Sequence, residues 1–247
     1  MEKNILKKLI DTAAGRVPAD LIICGGIVAD VYSGVFTKAD LAVCGGYIAA
    51  MGEPGAYQGR EQIDADGQYV VPGFIDSHIH IESSFLNPPE LCRLLVPHGA
   101  AAVIADPHEI VNVCGLAGLD YMLKTSENLP LDIKFMVPSC VPATPFEHSG
   151  AELEAGAMKT PLEKLRVLGL GELMDYEGVI NAEERVLNKI HLALEKGKLI
   201  DGHSPGLHGM KLAAYAAGMI HTDHECSTAA EMLRRLEKGI YVMLRQG

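Results

Sequence analysis

Two histidines, His78 and His80, stand at alternate positions in the apolar run Val71-Val-Pro-Gly-Phe-Ile-Asp-Ser-His-Ile-His-Ile-Glu82. A β-strand repeats its side-chain direction every second residue, so both imidazoles leave the strand on one side. Two neutral nitrogen donors converging at a strand end are the beginning of a transition-metal site. Further polar groups close other apolar runs: Asp106-Pro-His108-Glu109, Gly171-Glu172, Asp201-Gly-His203-Ser204 and His221-Thr-Asp223-His224-Glu225. A lone histidine in such a place is most simply a hydrogen-bonded structural residue. Several such ends together point to metal, because burying so many polar atoms without an ion would leave them unpaired.

Ligand type suggests a division of labour. His78 and His80 are expected to hold one divalent ion and His203 and His224 a second, with Glu172 bridging both through its two oxygens. Water shared by two such ions becomes acidic near neutral pH and can attack an electron-poor carbon. Mixed nitrogen and carboxylate donors suit zinc, manganese or iron. His221 competes with His224 but faces away if both lie in one strand, and Asp223-His224-Glu225 follows the apolar run directly, so His224 is preferred. His108 and Glu109 are candidates to orient substrate or to handle metal or protons, and with Glu172 they form the candidate reacting set. The alternative is a carboxylate–imidazole pair that fixes the following loop. Glu82, Ser204 and Glu225 are candidate substrate contacts, and support of a ligand histidine is equally open to the two glutamates. His98, His148, His191 and His208 are ordinary loop or helix residues.

The elements that must position these groups follow from the pattern. Residues 19–29 and 39–49 are near copies, each reading as a strand, a Gly-Gly turn and a second strand. With a strand over 62–71 they predict a small β-rich domain, half of a β-sandwich, over residues 1–71, without a helix long enough to cover it. Ile5, Leu6, Leu9, Ile10 and Ala13 predict a short amphipathic helix ahead of it. From residue 72 to 247 short apolar strands alternate with helical stretches. Strands are expected at 71–77, 101–106, 132–137, 167–171, 198–201, 219–222 and 240–244. Helices are expected at 89–97, 115–125, 182–196, 207–217 and 228–238, the last capped by Ser227 or Thr228 with Glu231 in its first turn. The proline-rich stretch 137–145 predicts a rigid loop. Strand–helix repetition with polar residues after each strand predicts an α/β fold, a (β/α)8 TIM-type barrel. An open doubly wound sheet lacks support, since no GxGxxG or GxxxxGK loop is present. The barrel is incomplete at about seven strands, which would leave two unpaired edges and a partly exposed apolar interior. The run Tyr241-Val-Met-Leu-Arg-Gln-Gly247 follows without a closing helix, so the chain reads as the front part of a longer protein.

Composition sets outer bounds. The formal charge of −11 weighs against nucleic acid. Six dispersed cysteines with no CxxC pair fit buried thiols in a reducing compartment, and Cys24 and Cys44 read as sheet-core residues rather than ligands. The N-terminus lacks the apolar core and cleavage site of a leader, and no apolar run is long enough to span a membrane. A soluble cytoplasmic protein is expected, with assembly into a homo-oligomer left open.

The barrel pattern resembles the amidohydrolase superfamily. More narrowly it resembles the bacterial adenine deaminase family, in four segments: Pro72-Gly-Phe-Ile-Asp-Ser-His-Ile-His-Ile-Glu-Ser-Ser84, Ala105-Asp-Pro-His-Glu-Ile-Val-Asn-Val113, Asp201-Gly-His-Ser-Pro-Gly-Leu207 and Thr222-Asp-His-Glu225. The resemblance runs from Asp11 to the last residue, and Asp-Pro-His-Glu is its most specific segment. It implies hydrolysis of adenine to hypoxanthine and ammonia in purine salvage, on two manganese or iron ions. It matches His78 and His80 to the first-strand ligands, Glu172 to the bridging acid, His203 to the fifth-strand ligand and His224 to the sixth. Many relatives carry a carbamylated lysine as the bridge, so Glu172 favours this family over hydantoinases and dihydroorotases. The resemblance also implies attack at C6 of the purine and an aspartate after the eighth strand that passes the proton, a residue this chain does not contain. Two alternatives stay open: another cyclic amidohydrolase, and a metal-binding fragment without catalysis.

Overall fold

A computed structural model of the protein describes residues 1–144 and 146–245. The chain divides into two compact units, Met1–Pro72 and Gly73–Gly247.

The first unit opens with α1 (Lys3–Ala13), followed by β1 (Ala19–Asp30), β2 (Val35–Cys44), β3 (Tyr47–Gly52), β4 (Gly59–Asp64) and β5 (Tyr69–Val70). They form one mixed sheet in the order β3-β2-β1-β4, with β5 also paired to β1. The near-identical copies predict two hairpins, but only the second copy makes one. Gly45 and Gly46, at φ +58° and +79°, turn β2 into β3. Gly25 and Gly26 instead lie inside the unbroken strand β1, where the register slips between Ile23 and Gly26. Their neighbours decide this. The Gly25 amide donates to the Asp40 carboxylate at 3.3 Å, and a Cβ on Gly26 would fall 2.5 Å from Val70 Cγ2. With β2 on one side of β1 and β4 and β5 on the other, the dipeptide becomes a bulge rather than a turn. The short helix α1 lies against β2 and β3, and the Tyr57 hydroxyl of the β3–β4 loop donates to its Ala13 carbonyl at 3.1 Å.

Each strand predicted for the barrel has a counterpart in the second unit, although the one expected at 219–222 shares only Thr222 with the strand observed there. β6 (Phe74–Ile79), β7 (Ala100–Ala105), β8 (Asp132–Val137), β9 (Val167–Leu173) and β10 (Leu199–Gly202) form a parallel sheet in sequence order. β11 (Thr222–Asp223) and β12 (Tyr241–Val242) form a separate parallel pair. Between them run α2 (Pro88–Leu95), α3 (His108–Cys114), α4 (Leu116–Thr125), α5 (Ala155–Glu163), α6 (Tyr176–Ile180), α7 (Glu184–Glu195), α8 (Gly209–Ala217) and α9 (Ala229–Leu236). This is the (β/α)8 architecture, present in part. Its core joins strand residues such as Val103, Ile133, Phe135 and Leu170 to Leu119, Met158 and Ile190 of the helices, all buried. Helices α3, α5 and α6 were not among those predicted. α9 starts as expected: Thr228 Oγ1 accepts from the Glu231 amide at 3.2 Å, and Glu231 Oε2 accepts from the Ser227 amide at 2.8 Å. In the loop after β8, Ser139, Cys140 and Val141 are buried; Pro145, the last residue of the expected rigid loop, lies outside the described residues.

Backbone pairing stops between β10 and β11, and local bonds replace it. The His221 amide donates to the Ile200 carbonyl at 2.9 Å, and the Ile200 amide donates to His221 Nδ1 at 3.1 Å. Among the described residues β6 and β12 each pair with one strand only. Phe74 and Ile75 on β6 are 65% and 66% exposed.

Candidate metal centre

Parallel strands followed by helices deliver the residue just beyond each strand to one rim, where sites of this architecture are built. His78 lies near the end of β6 and His80 just past it. Glu172 is the penultimate residue of β9, His203 is the first residue after β10, and His224 the first after β11. The structure gathers the four histidines around the Glu172 carboxylate. Its Oε1 lies 2.7 Å from His78 Nε2, 2.7 Å from His80 Nε2 and 3.7 Å from His224 Nε2. Its Oε2 lies 3.0 Å from His203 Nδ1. The His78 and His224 rings stack at 4.0 Å between centroids.

The far sides of the first two rings show how the near sides are used. His78 Nδ1 pairs with Asp201 Oδ2 at 3.1 Å, and His80 Nδ1 with the Asp106 carbonyl at 2.9 Å. A carbonyl only accepts, so Nδ1 of His80 carries the hydrogen, and in the neutral ring Nε2 is a bare lone pair. The carboxylate beside His78 selects the same tautomer. The two Nε2 atoms lie 3.1 Å apart. Lone pairs that close repel each other unless a cation or a proton lies between them. Glu172 Oε1, His203 Nδ1 and His224 Nε2 are buried atoms without a well-formed hydrogen bond among the described residues. Donor atoms aimed at a common point, each oriented by a partner on its other side, are what a metal site requires. Three groups have ligand atoms close enough to hold an ion: His78, Glu172 and His224; His80, His108 and Glu172; and His203, His224 and Glu225. Two of these groups share Glu172 and the third holds His203 and His224, so the donor set fits a binuclear centre.

Without metal, protons take the cations' place. Burial opposes charge on His78, but the hydrogen bonds to Asp201 and Glu172 outweigh it and hold the ring up at about 10. His80 is held at about 9 against its own burial, chiefly by Glu172. Glu172 is driven far below the ordinary carboxylate range: burial works the other way, and bonds to His203, His78 and His80 overcome it. Asp106, enclosed by protein and facing the Glu172 charge, is pushed up to about 8. Burial lowers His224 and His108.

The remaining candidates divide. His108 and Glu109 begin α3 rather than sitting in a loop. His108 stacks edge-on to His80 at 4.6 Å between centroids, with Nε2 3.9 Å from Glu109 Oε2, and Glu109 Oε2 is 3.7 Å from His80 Nδ1. Both face the centre, and His108 Nδ1 and Glu109 Oε2 have no hydrogen-bond partner among the described residues. Glu225 lies 3.5 Å from His224 Nε2 and pairs with Arg245 at 3.2 Å. Glu82 Oε1 accepts from the Ile110 amide at 3.2 Å, closing the first turn of α3. Ser204 is not brought to the centre: it is fully buried and its hydroxyl is spent on Asp223. His221 is occupied by the Ile200 amide, which leaves the rim to His224.

Sequence reasoning gave no role to the groups that grip Glu172. Asp106 Oδ2 accepts from the Glu172 amide at 2.8 Å, and the Ser139 hydroxyl donates to the Glu172 carbonyl. Tyr215 accepts from the His203 amide at 2.9 Å and donates to the Leu173 carbonyl at 2.9 Å. Asp106 and Asp201 stand in the same short segments as the histidines, which was the available signal. Ser139 and Tyr215 carried none.

The amidohydrolase family profile matches residues 69–247. An adenine deaminase 2 of Desulfotalea psychrophila is 54% identical over 247 residues, which is 100% of this chain and 42% of that protein. An adenine deaminase of Ligilactobacillus salivarius is 49% identical, again over 100% of this chain and 42% of its own length. The chain thus spans well under half the length of these curated relatives. Among solved structures, the N-acyl-D-glutamate deacylase of Bordetella bronchiseptica superposes with a TM-score of 0.59 at 19% identity, covering 92% of this chain and 58% of that one. A dihydroorotase superposes with a TM-score of 0.56 at 14% identity, covering 91% and 64%. At such identities these structures bear on the fold alone.

Proposed function

The chain belongs to the amidohydrolase family, and we propose that it is the metal-binding front part of an enzyme that hydrolyses adenine to hypoxanthine and ammonia. The observation that carries this is the convergence of His78, His80, His203 and His224 on the Glu172 carboxylate. The substrate reading rests on similarity along the whole chain to adenine deaminases and on the Asp106-Pro-His-Glu109 segment.

His78 and His80 would hold one ion, His203 and His224 a second, and Glu172 would bridge them; manganese or iron is the proposed metal, with zinc compatible with the same donors. Bound there, divalent ions supply an acidic water as nucleophile and polarise the ring under attack. Asp201 and the Asp106 carbonyl keep His78 and His80 in the tautomer that presents Nε2. His108 is held neutral by burial at the side of His80, where we place the purine ring; it and Glu109 would orient that ring and exchange protons with its nitrogens. Protonation of the departing amine needs a further acid, commonly worth about 10²–10⁴ in rate. The family resemblance assigns that to an aspartate after an eighth strand, and the described residues supply seven barrel strands. Among the described residues no helix is long and apolar enough to cross a membrane. We place the enzyme in the cytoplasm, with a small purine as its partner and, at a charge of −11, no nucleic acid.

The test is ammonia release from adenine by the full-length protein. Chelation should abolish it and Mn2+ should restore it, and replacing His78 and His80 together by alanine should remove it in the presence of metal. Undiminished turnover by the chelated protein or by the double variant would sink the proposal.

A further inference from the structure

His203 and His224 stand on opposite sides of the break in the sheet: one follows β10, the last strand of the five-stranded ladder, and the other follows β11 in the separate pair. Among the described residues no strand ladder joins β10 to β11; the bonds between Ile200 and His221 and between Thr222 and Asp201 tie the segments before the two histidines. Arg235 of α9 spans this gap. It is wholly buried, its Nε donates to Asp223 Oδ2 at 3.2 Å, and its Nη2 donates to the Ser204 carbonyl at 2.6 Å. Its Nη1 donates to the Leu207 carbonyl at 3.3 Å. The Ser204 hydroxyl donates to the same Asp223 carboxylate, whose Oδ1 accepts from the Glu225 amide at 2.8 Å. One guanidinium therefore grips the residue after His203 and, through Asp223, both neighbours of His224.

Stability alone does not account for this arrangement. Removing a charged pair from water cancels most of what the pair gains, and apolar residues of similar volume generally serve as well. A planar fork bonded along fixed directions does supply register, which an apolar contact cannot. We infer that Arg235 is a positioning residue for the His203/His224 half of the centre. It sets the spacing at which those two imidazoles accept an ion and leaves the His78/His80 half unaffected. The inference rests on the two-ion reading above.

The measurement is Mn2+ binding to the full-length protein by equilibrium dialysis with elemental analysis. The parent should hold two ions per chain. Arg235→Lys keeps the charge and loses the fork; it should retain the first ion at parental affinity and bind the second about 10–100-fold more weakly, the usual cost of losing a partner behind a ligand. It should resemble His224→Ala and differ from His78→Ala. Asp223→Asn, nearly unchanged in volume, should do the same, and it decides the matter if Arg235→Lys does not fold by circular dichroism. A folded variant with two ions at parental affinity overturns the inference, as does equal weakening of both. A parent that binds no Mn2+ overturns the metal reading, a result distinct from parent and variants both holding two.

Discussion

Gly171 and Glu172 are neighbours with opposite demands on space. A Cβ on Gly171 would fall 2.3 Å from Asp106 Oδ2, so the carboxylate that holds the Glu172 amide occupies the volume of a side chain. Gly171→Ala should displace Asp106, cost about 1–3 kcal/mol as overpacking does, and weaken metal binding; parental melting temperature and metal content together would contradict this. The charges of the same cluster give a pH dependence. In the metal-free cluster His78 and His80 are raised from 6.5 to about 10 and about 9. A group raised on folding stabilises below its unfolded pKa, and that stability is lost as pH climbs to the folded value. Asp106, raised from 3.8 to about 8, prefers its proton and adds loss in the same direction below pH 8. The melting temperature of the chelated protein should therefore fall between pH 6.5 and 10. Saturating Mn2+ should flatten that fall, because bound ions displace the same protons. Thermal scans across that range with and without chelator check both statements, and a midpoint that rises with pH in the chelated protein would refute the account.

At the scale of elements, identical local sequence took different forms. Gly45-Gly46 turns a hairpin while Gly25-Gly26 bulges within a strand, because β1 runs on past its glycine pair to meet β2 on one side and β5 on the other, whereas β2 ends at Cys44. Gly26→Ala should force Val70 and β5 away from β1 and lower the stability of the first unit, whereas Gly46, whose Cβ would meet nothing within 4 Å, should show only the cost of a positive φ in an alanine. Thermal denaturation of the two variants side by side tests this; equal losses would mean that the contact with Val70 has no weight. The start of α9 was readable to within one residue, since the Thr228 hydroxyl accepts from the Glu231 amide and the Glu231 carboxylate accepts from the Ser227 amide around the first turn. The starts of α3 and α6 were not: His108 and Tyr176 follow strand ends within a few residues, and each helix is short, leaving too few turns for an apolar period to show.

At the scale of the molecule, β6 and β12 each have one partner among the described residues, and Phe74 and Ile75 stand exposed. Unpaired edges and exposed apolar residues invite non-specific association rather than a sharp folding transition. The 247 residues expressed alone should melt over a broad range, bind a hydrophobic dye, and deaminate adenine negligibly, whereas full-length protein should melt sharply and turn over. Calorimetry and an ammonia assay on both decide this, and a sharp transition with high activity in the shorter chain would refute it.

The residue types at the rim, their strand-end positions and the strand–helix alternation were set by the sequence alone, because periods of two and 3.6 are local properties of a chain. Convergence was not local. His78 meets Asp201 across 123 positions, and Arg235 reaches Ser204 across 31. Which histidine faces the rim, which tautomer it holds and what spans the gap between β10 and β11 depend on packing between segments remote in the chain. Only the tertiary structure could decide them, since hydrogen bonds and lone pairs are satisfied by position in space and not by order along the chain.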